Sequence, residues 1–256
     1  MLISHRHKYV FVQLPRTGST TIGRELRSVY DGHEILYKHC SYSEFLKVAN
    51  EEEKQYFAFS CIRNPLDDAV SRYFKLKTNF RGRYTDPQKL RRRRENLIER
   101  IEDKLFRYIQ ENDANFEDFF LRFYVIPYND WSSVDHKDLD FVIRFENLQE
   151  DFSKVLKLIG LEQERPLPVR NKTPDRERTY LSYYTPRTIK RAKRIFGPYM
   201  QQWGYEMPAD WGDSTIPWWN RTEFQFFTLC RKIYWKYFRD LAYPESVRGR
   251  IAVKKE

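Results

Sequence analysis

The sequence predicts an α/β protein: one domain with a central, mainly parallel β-sheet flanked by helices. Three observations predict it. Short β-branched and aromatic runs of strand length occur at residues 9–14, 56–62 and 140–145. A helical stretch follows each of them, the alternation expected of a parallel sheet with helical crossovers. Two loops, around Gly18 and around Asn64, fall where a strand gives way to a helix, the place where open sheets of this kind bind ligands.

Residues 9–14 (YVFVQL) carry no charge and suit a buried strand. The turn Pro15-Arg16-Thr17-Gly18-Ser19 follows, then a helix over residues 20–30 whose Ile22, Leu26 and Val29 share one face. Ser19 or Thr20 is its expected N-cap. Residues 34–37 read as a second strand and 41–50 as a helix. Residues 56–62 (YFAFSCI) form another buried strand, closed by Arg63-Asn64-Pro65, and Leu66, Ala69, Val70, Tyr73 and Phe74 make the next helix apolar on one side. Residues 86–110 read as one long helix striped by Leu90, Leu97, Ile101, Leu105 and Ile109. The Arg91–Arg94 run at its start is a solvated face or a patch for an anionic acceptor. A shorter aromatic helix spans 115–125, a late strand 140–145 (DFVIRF), and a helix 146–160 that ends on Gly160. A polar Arg- and Lys-rich loop covers 161–178 and a helix 186–196. After Met207 the chain turns to Pro, Trp and Gly, then to an aromatic, basic helix over 221–240.

With 256 residues, 41% of them hydrophobic, the chain can bury a full core and is not a disordered one. No apolar run reaches membrane-spanning length, and the N-terminus passes into a strand instead of a signal h-region, so a soluble, cytoplasmic protein is expected. A chain trimmed of an anchor would read the same and would point to the Golgi lumen. Cys40, Cys61 and Cys230 cannot all pair with one another and lack metal-site spacing, and His5 and His7 have no second ligand pair nearby; free thiols and no metal are expected. The net charge of +10 calls for an anionic ligand somewhere on the surface. A basic protein that binds nucleic acid or a membrane surface without catalysis is the alternative. No nucleic-acid reader motif is present. Aromatic helices belong more often to a core or a subunit interface than to lipid, so the C-terminal helix suggests a homo-oligomer contact and no membrane contact is expected.

Two segments carry chemistry. In LPRTGSTT (residues 14–21), backbone N–H groups, side-chain hydroxyls and a helix N-terminus are expected to face the mouth of one turn, an anion cradle. It is not the ATP- or GTP-binding P-loop motif, which needs Lys and then Ser/Thr after its last glycine. In IRNPLDDAVSRYF (residues 62–74), Arg63 at a strand end and Ser71 in the following helix can converge on one phosphate.

Together, strand–P-[KR]-T-G-[ST]-[ST]–helix and, about 45 residues on, strand–R-[ND]-P-x(6)-S-x-[YF] resemble the sulfotransferases that use 3′-phosphoadenosine 5′-phosphosulfate (PAPS). Residues 141–161, the RNKT of 170–173 and Gly204-Tyr205 also look like parts of that family. The resemblance runs over about residues 8–207 and is closest to glycan enzymes of the uronyl 2-O-sulfating type. It implies a P-loop-like nucleotide-binding domain over 1–207, with 208–256 as an aromatic, basic helical extension of it. It further implies that Arg16, Thr17, Gly18, Ser19, Thr20 and Thr21 hold the 5′-phosphosulfate. Arg63 and Ser71 would hold the 3′-phosphate, and Arg170, Lys172 and Thr173 would close over the nucleotide. The acceptor would be a hydroxyl-bearing glycan, the by-product adenosine 3′,5′-bisphosphate, and no metal would take part. Two positions depart from the family pattern: Arg16 stands where lysine is usual, and Asp68 where a second arginine is frequent.

Transfer to a hydroxyl needs a base and cations around the moving group. His39, in YKHCSYSEF (residues 37–45), is the expected base beside catalytic Arg16. The uronyl-acting enzymes look similar there, and an imidazole titrates near neutrality. The competing reading makes His39 a cap for the helix from Ser41. His33, Glu34 and Glu44 are the substitutes.

Overall fold

The computed structural model describes residues 1–93, 97–129, 135–168 and 179–237. They divide into two compact units, one built from described residues 1–64 and 135–168, the other from 65–93, 97–129 and 179–237.

The first unit contains a five-stranded mixed sheet in the order β3-β1-β2-β4-β5. Its strands are β1 (Leu2–Ser4), β2 (Tyr9–Val12), β3 (His33–Glu34), β4 (Phe57–Ile62) and β5 (Phe141–Arg144). The expected neighbours at 9–14 and 56–62 do pair in parallel, Tyr9 opposite Phe57 and Val12 opposite Ser60, and β5 continues that parallel set beside β4. The sheet is not mainly parallel, however. Leu2–Ser4 adds an antiparallel strand against β2, and β3 pairs antiparallel with β1. A strand of three residues followed at once by His-Arg-His leaves too short a pattern to recognise.

Side chains on a strand alternate between faces, and the alternation sorts the core of this unit. Leu2, Tyr9, Phe11, Phe59, Cys61 and Ile143 share one cluster with Ile22 and Leu26 of α1 (Ser19–Val29) and Phe152, Val155 and Leu156 of α7 (Leu148–Leu158). Ile3, Val10, Val12 and Ala58 join the other cluster with Tyr42 and Phe45 of α2 (Tyr42–Leu46). Both faces of β2 are thus covered, which is why its sequence reads as one continuous apolar run.

The second unit is helical: α3 (Pro65–Lys77), α4 (Pro87–Arg93), α5 (Leu97–Glu111), α6 (Phe116–Phe123), α8 (Pro186–Gln202) and α9 (Trp218–Tyr237). Its core takes Leu66, Val70 and Tyr73 from α3, Phe116, Phe119 and Phe120 from α6, and Ala192, Ile195 and Phe196 from α8. Buried tyrosines spend their hydroxyls on backbone carbonyls, Tyr73 on Ala114 and Tyr184 on Leu66, both at 2.9 Å. Most of the aromatic richness here is packing. The helix expected at 186–196 runs on through Pro198 to Gln202. Proline costs one ladder hydrogen bond, but Tyr199 and Met200 beyond it are buried, and their burial keeps the turn helical. The long helix expected over 86–110 is represented by α4 and α5, with residues 94–96 outside the described set.

Candidate active site

The turn between β2 and α1 is made by left-handed backbone at Arg16 (φ 64°) and Gly18 (φ 79°). Gly18 is the N-cap of α1, with no side-chain cap bond, so neither Ser19 nor Thr20 caps the helix as expected. Thr17 and Ser19 turn inward instead: both hydroxyls donate to the Leu14 carbonyl, Thr17 at 3.0 Å. Both are buried and brace the turn from within, so they do not face its mouth. Thr17 also meets the Cys61 thiol, whose pKa burial pushes far up, leaving an inert sulfur. At the start of α1 the Thr21 N–H donates to the Gly18 carbonyl at 2.9 Å, which leaves the Ser19 and Thr20 N–H groups without an acceptor inside the helix, at the positive end of its dipole. A Cβ at Gly18 would lie 3.2 Å from Leu148 Cδ1 and Phe145 Cδ2, so the segment after β5 closes directly on the loop.

Cations surround this turn. The Arg63 guanidinium, buried at the end of β4, donates to the Arg16 carbonyl at 3.2 Å and stacks 4.3 Å above the Phe145 ring. Beside it, the Asn64 backbone N–H donates to Glu146 Oε1 at 2.7 Å, tying the ends of β4 and β5 together. From the segment after β3, the Lys38 ammonium donates to Thr20 Oγ1 at 3.4 Å. Partial desolvation, with Arg27 and Arg24 nearby, lowers its pKa.

His39 follows immediately, in left-handed backbone (φ 68°). Its Nδ1 lies 2.9 Å from the Gln13 carbonyl, at the end of β2. A carbonyl only accepts, so Nδ1 carries the proton and Nε2 keeps its lone pair. Burial lowers the imidazole pKa from 6.5 to about 4; the Gln13 bond opposes this, and the charges of Lys38 and Arg16 add to it. The histidine is therefore neutral at neutral pH, its Nε2 available to take a proton.

The capping role belongs elsewhere. Ser41 is the N-cap of α2, in a reciprocal capping box with Glu44. Glu44 also accepts from the Tyr37 hydroxyl at 2.5 Å, Glu34 pairs with Arg27, and exposed His33 pairs with Asp31 at 3.1 Å. All three substitute bases are thus engaged in local structure.

The first unit therefore brings together Arg16, Thr17, Gly18, Ser19, Thr20, Thr21, His39 and Arg63. A pocket of about 340 Å³ opens beside Gly18 and Thr21, lined further by Phe145, Leu148 and Leu167. Ser71 lies on α3 in the second unit and is fully buried, as is Asp68 to within 3%. Arg170, Lys172 and Thr173 fall outside the described residues. Among the described residues no group of three or more His, Cys, Asp or Glu could hold a metal ion. Sequence reasoning missed Lys38, Phe145 and Glu146. For Lys38 the available signal was its position next to His39, a second functional group on the same turn.

Sheet and site together define an α/β protein whose strand–turn–helix unit gathers Arg16, Arg63 and Lys38 around the start of α1. The chain belongs to the sulfotransferase family: the model of that family matches residues 1–206. It is accordingly a transferase, and its class of reaction is sulfuryl transfer. No curated protein and no solved structure gave a match.

Proposed function

We propose that the protein moves the sulfuryl group of PAPS to a hydroxyl of a carbohydrate acceptor, with His39 as general base. The observation that carries the reading is the imidazole held by Gln13 at the end of β2, its Nε2 unprotonated, within the field of the same Arg16 that shapes the cradle.

The donor set suits this co-substrate. A phosphosulfate is a compact anion, and the turn offers first-turn N–H groups and the Lys38 ammonium on Thr20. Arg63 supplies a planar, permanently charged donor for the 3′-phosphate. Glycine at position 18 holds the left-handed turn and lets Leu148 and Phe145 pack against it, where a Cβ would meet them at 3.2 Å. These features support a P-loop-like phosphate site without the motif of a nucleoside triphosphatase.

In the reaction the acceptor oxygen attacks sulfur in line with the bond to the leaving phosphate. The S–O(acceptor) bond forms and the S–O(phosphate) bond breaks. The acceptor proton passes to His39 Nε2. Charge grows on the leaving phosphate, and Lys38, Arg16 and the α1 N-terminus oppose it. Products are a sulfate ester and adenosine 3′,5′-bisphosphate. Ser71, Arg170, Lys172 and Thr173 keep the nucleotide-binding roles that the family resemblance implies. Adenosine 3′,5′-bisphosphate should raise the melting temperature far more than ATP with magnesium does; equal effects would contradict the proposal.

A further inference from the structure

Helix α9 treats its aromatic residues differently from the rest of its unit. Asn220 and Phe224 are buried. Thr228 Oγ1 accepts from Asn129 at 3.0 Å, Arg231 donates to the Pro127 carbonyl at 2.5 Å, and Glu223 pairs with Arg194 at 2.6 Å. These residues define the face turned toward its own unit. Trp218, Trp219, Phe226, Leu229, Ile233 and Tyr237 fall within an arc of about 100° on another side of the helix. They are 44–72% exposed. Of the two placements expected for this helix, core or subunit interface, these exposed side chains do not take the first.

We infer that this face of α9 docks on an anionic membrane surface. Six large apolar side chains in one stripe exceed the scattered apolar exposure of an ordinary surface. Tryptophan and tyrosine suit the headgroup boundary, where the ring is buried and the polar edge stays wet. Charge selects the occupant. Exposed Arg221 and Lys232 flank one edge of the stripe, and the single acid of α9, Glu223, is already held by Arg194. The chain carries a net +10. A second copy laid on this face would oppose like charges, whereas acidic headgroups answer both the stripe and its flank. Among the described residues no helix is long and apolar enough to cross a membrane, so the contact is a helix lying in the interface plane. It does not depend on the sulfuryl-transfer mechanism.

The test is flotation of the full chain with phosphatidylcholine vesicles, with and without phosphatidylserine. Binding should be strongest with phosphatidylserine and should weaken as salt rises. The Phe226→Ser/Leu229→Ser/Ile233→Ser variant should lose about 100-fold or more in partitioning, from three apolar side chains no longer buried in lipid. Its melting temperature should stay unchanged, because these side chains are already exposed. Arg221→Glu/Lys232→Glu should lose the preference for phosphatidylserine alone. No flotation with either vesicle overturns the inference. So does a parent protein that is a dimer and does not float, with the triple variant monomeric; that result assigns the face to a second copy.

Discussion

His39→Asn separates base chemistry from structure better than a change to alanine. Position 39 has φ 68°, and asparagine tolerates left-handed backbone where alanine is strained. The amide N–H₂ can also replace the Nδ1 donor to Gln13, but an amide cannot take the acceptor's proton. Turnover should fall by roughly 10²–10⁴-fold, the usual contribution of a positioned base. Bisphosphate affinity should hold, since the base acts on the acceptor. The pH dependence follows from the site. An exposed imidazole would put the rising limb of the rate near neutrality, as the sequence suggests; burial moves the free-enzyme limb to about 4. Stability moves with it. The folded-state pKa lies below the unfolded one, so the unfolded chain binds the proton first. The contribution of neutral His39 is fully present above pH 6.5 and is lost as pH falls toward about 4. The difference is worth about 3 kcal/mol. The asparagine variant should lack that part of the acid lability. Buried His136, its pKa lowered from 6.5 to about 3 by burial, should leave the variant still losing stability as pH falls from 6.5 toward about 3. The assay is kcat/KM against pH alongside urea melts at each pH. Near-normal turnover in the variant would rule out His39 as the base, and so would a limb near neutrality that persists in it.

Two further outcomes follow from the loop. Gly18→Ala should destabilise the first unit by about 1–2 kcal/mol for left-handed alanine and about 1–3 kcal/mol for crowding against Leu148 and Phe145; urea unfolding and bisphosphate binding should both report it, and an unchanged midpoint would contradict the clamp. Arg63→Ala should cost about 2–5 kcal/mol of bisphosphate binding, more than Ser71→Ala, by calorimetry; unchanged affinity in the arginine variant would remove the 3′-phosphate assignment.

How much of this was legible follows from what each residue contacts. β2 and β4 were readable because both faces of each are covered, which leaves apolar runs interrupted only by buried Ser60 in β4. β1 was not, because its three residues gain strand character only from pairing with β2. The turn at residues 14–21 was readable as a motif, but the direction of its hydroxyls was not. Thr17 and Ser19 donate to Leu14, a contact that depends on the left-handed turns at Arg16 and Gly18. His39 could be named as a candidate base, yet its low pKa comes from burial and from cations brought in by folding. Lys38 reaches a hydroxyl eighteen residues earlier in the chain, which no local pattern records. The aromatic C-terminal helix was visible in composition, whereas the exposure of one face of it was not.

Sulfuryl transfer with His39 as base is tested by incubating the protein with ³⁵S-labelled PAPS, a chelator and a panel of glycans of different charge, and scoring label transferred to each. Transfer to a hydroxyl-bearing glycan is expected at full rate in the chelator, with stoichiometric release of adenosine 3′,5′-bisphosphate and loss of transfer in His39→Asn. Label that stays on PAPS with every acceptor, or transfer that the asparagine variant sustains, would contradict it.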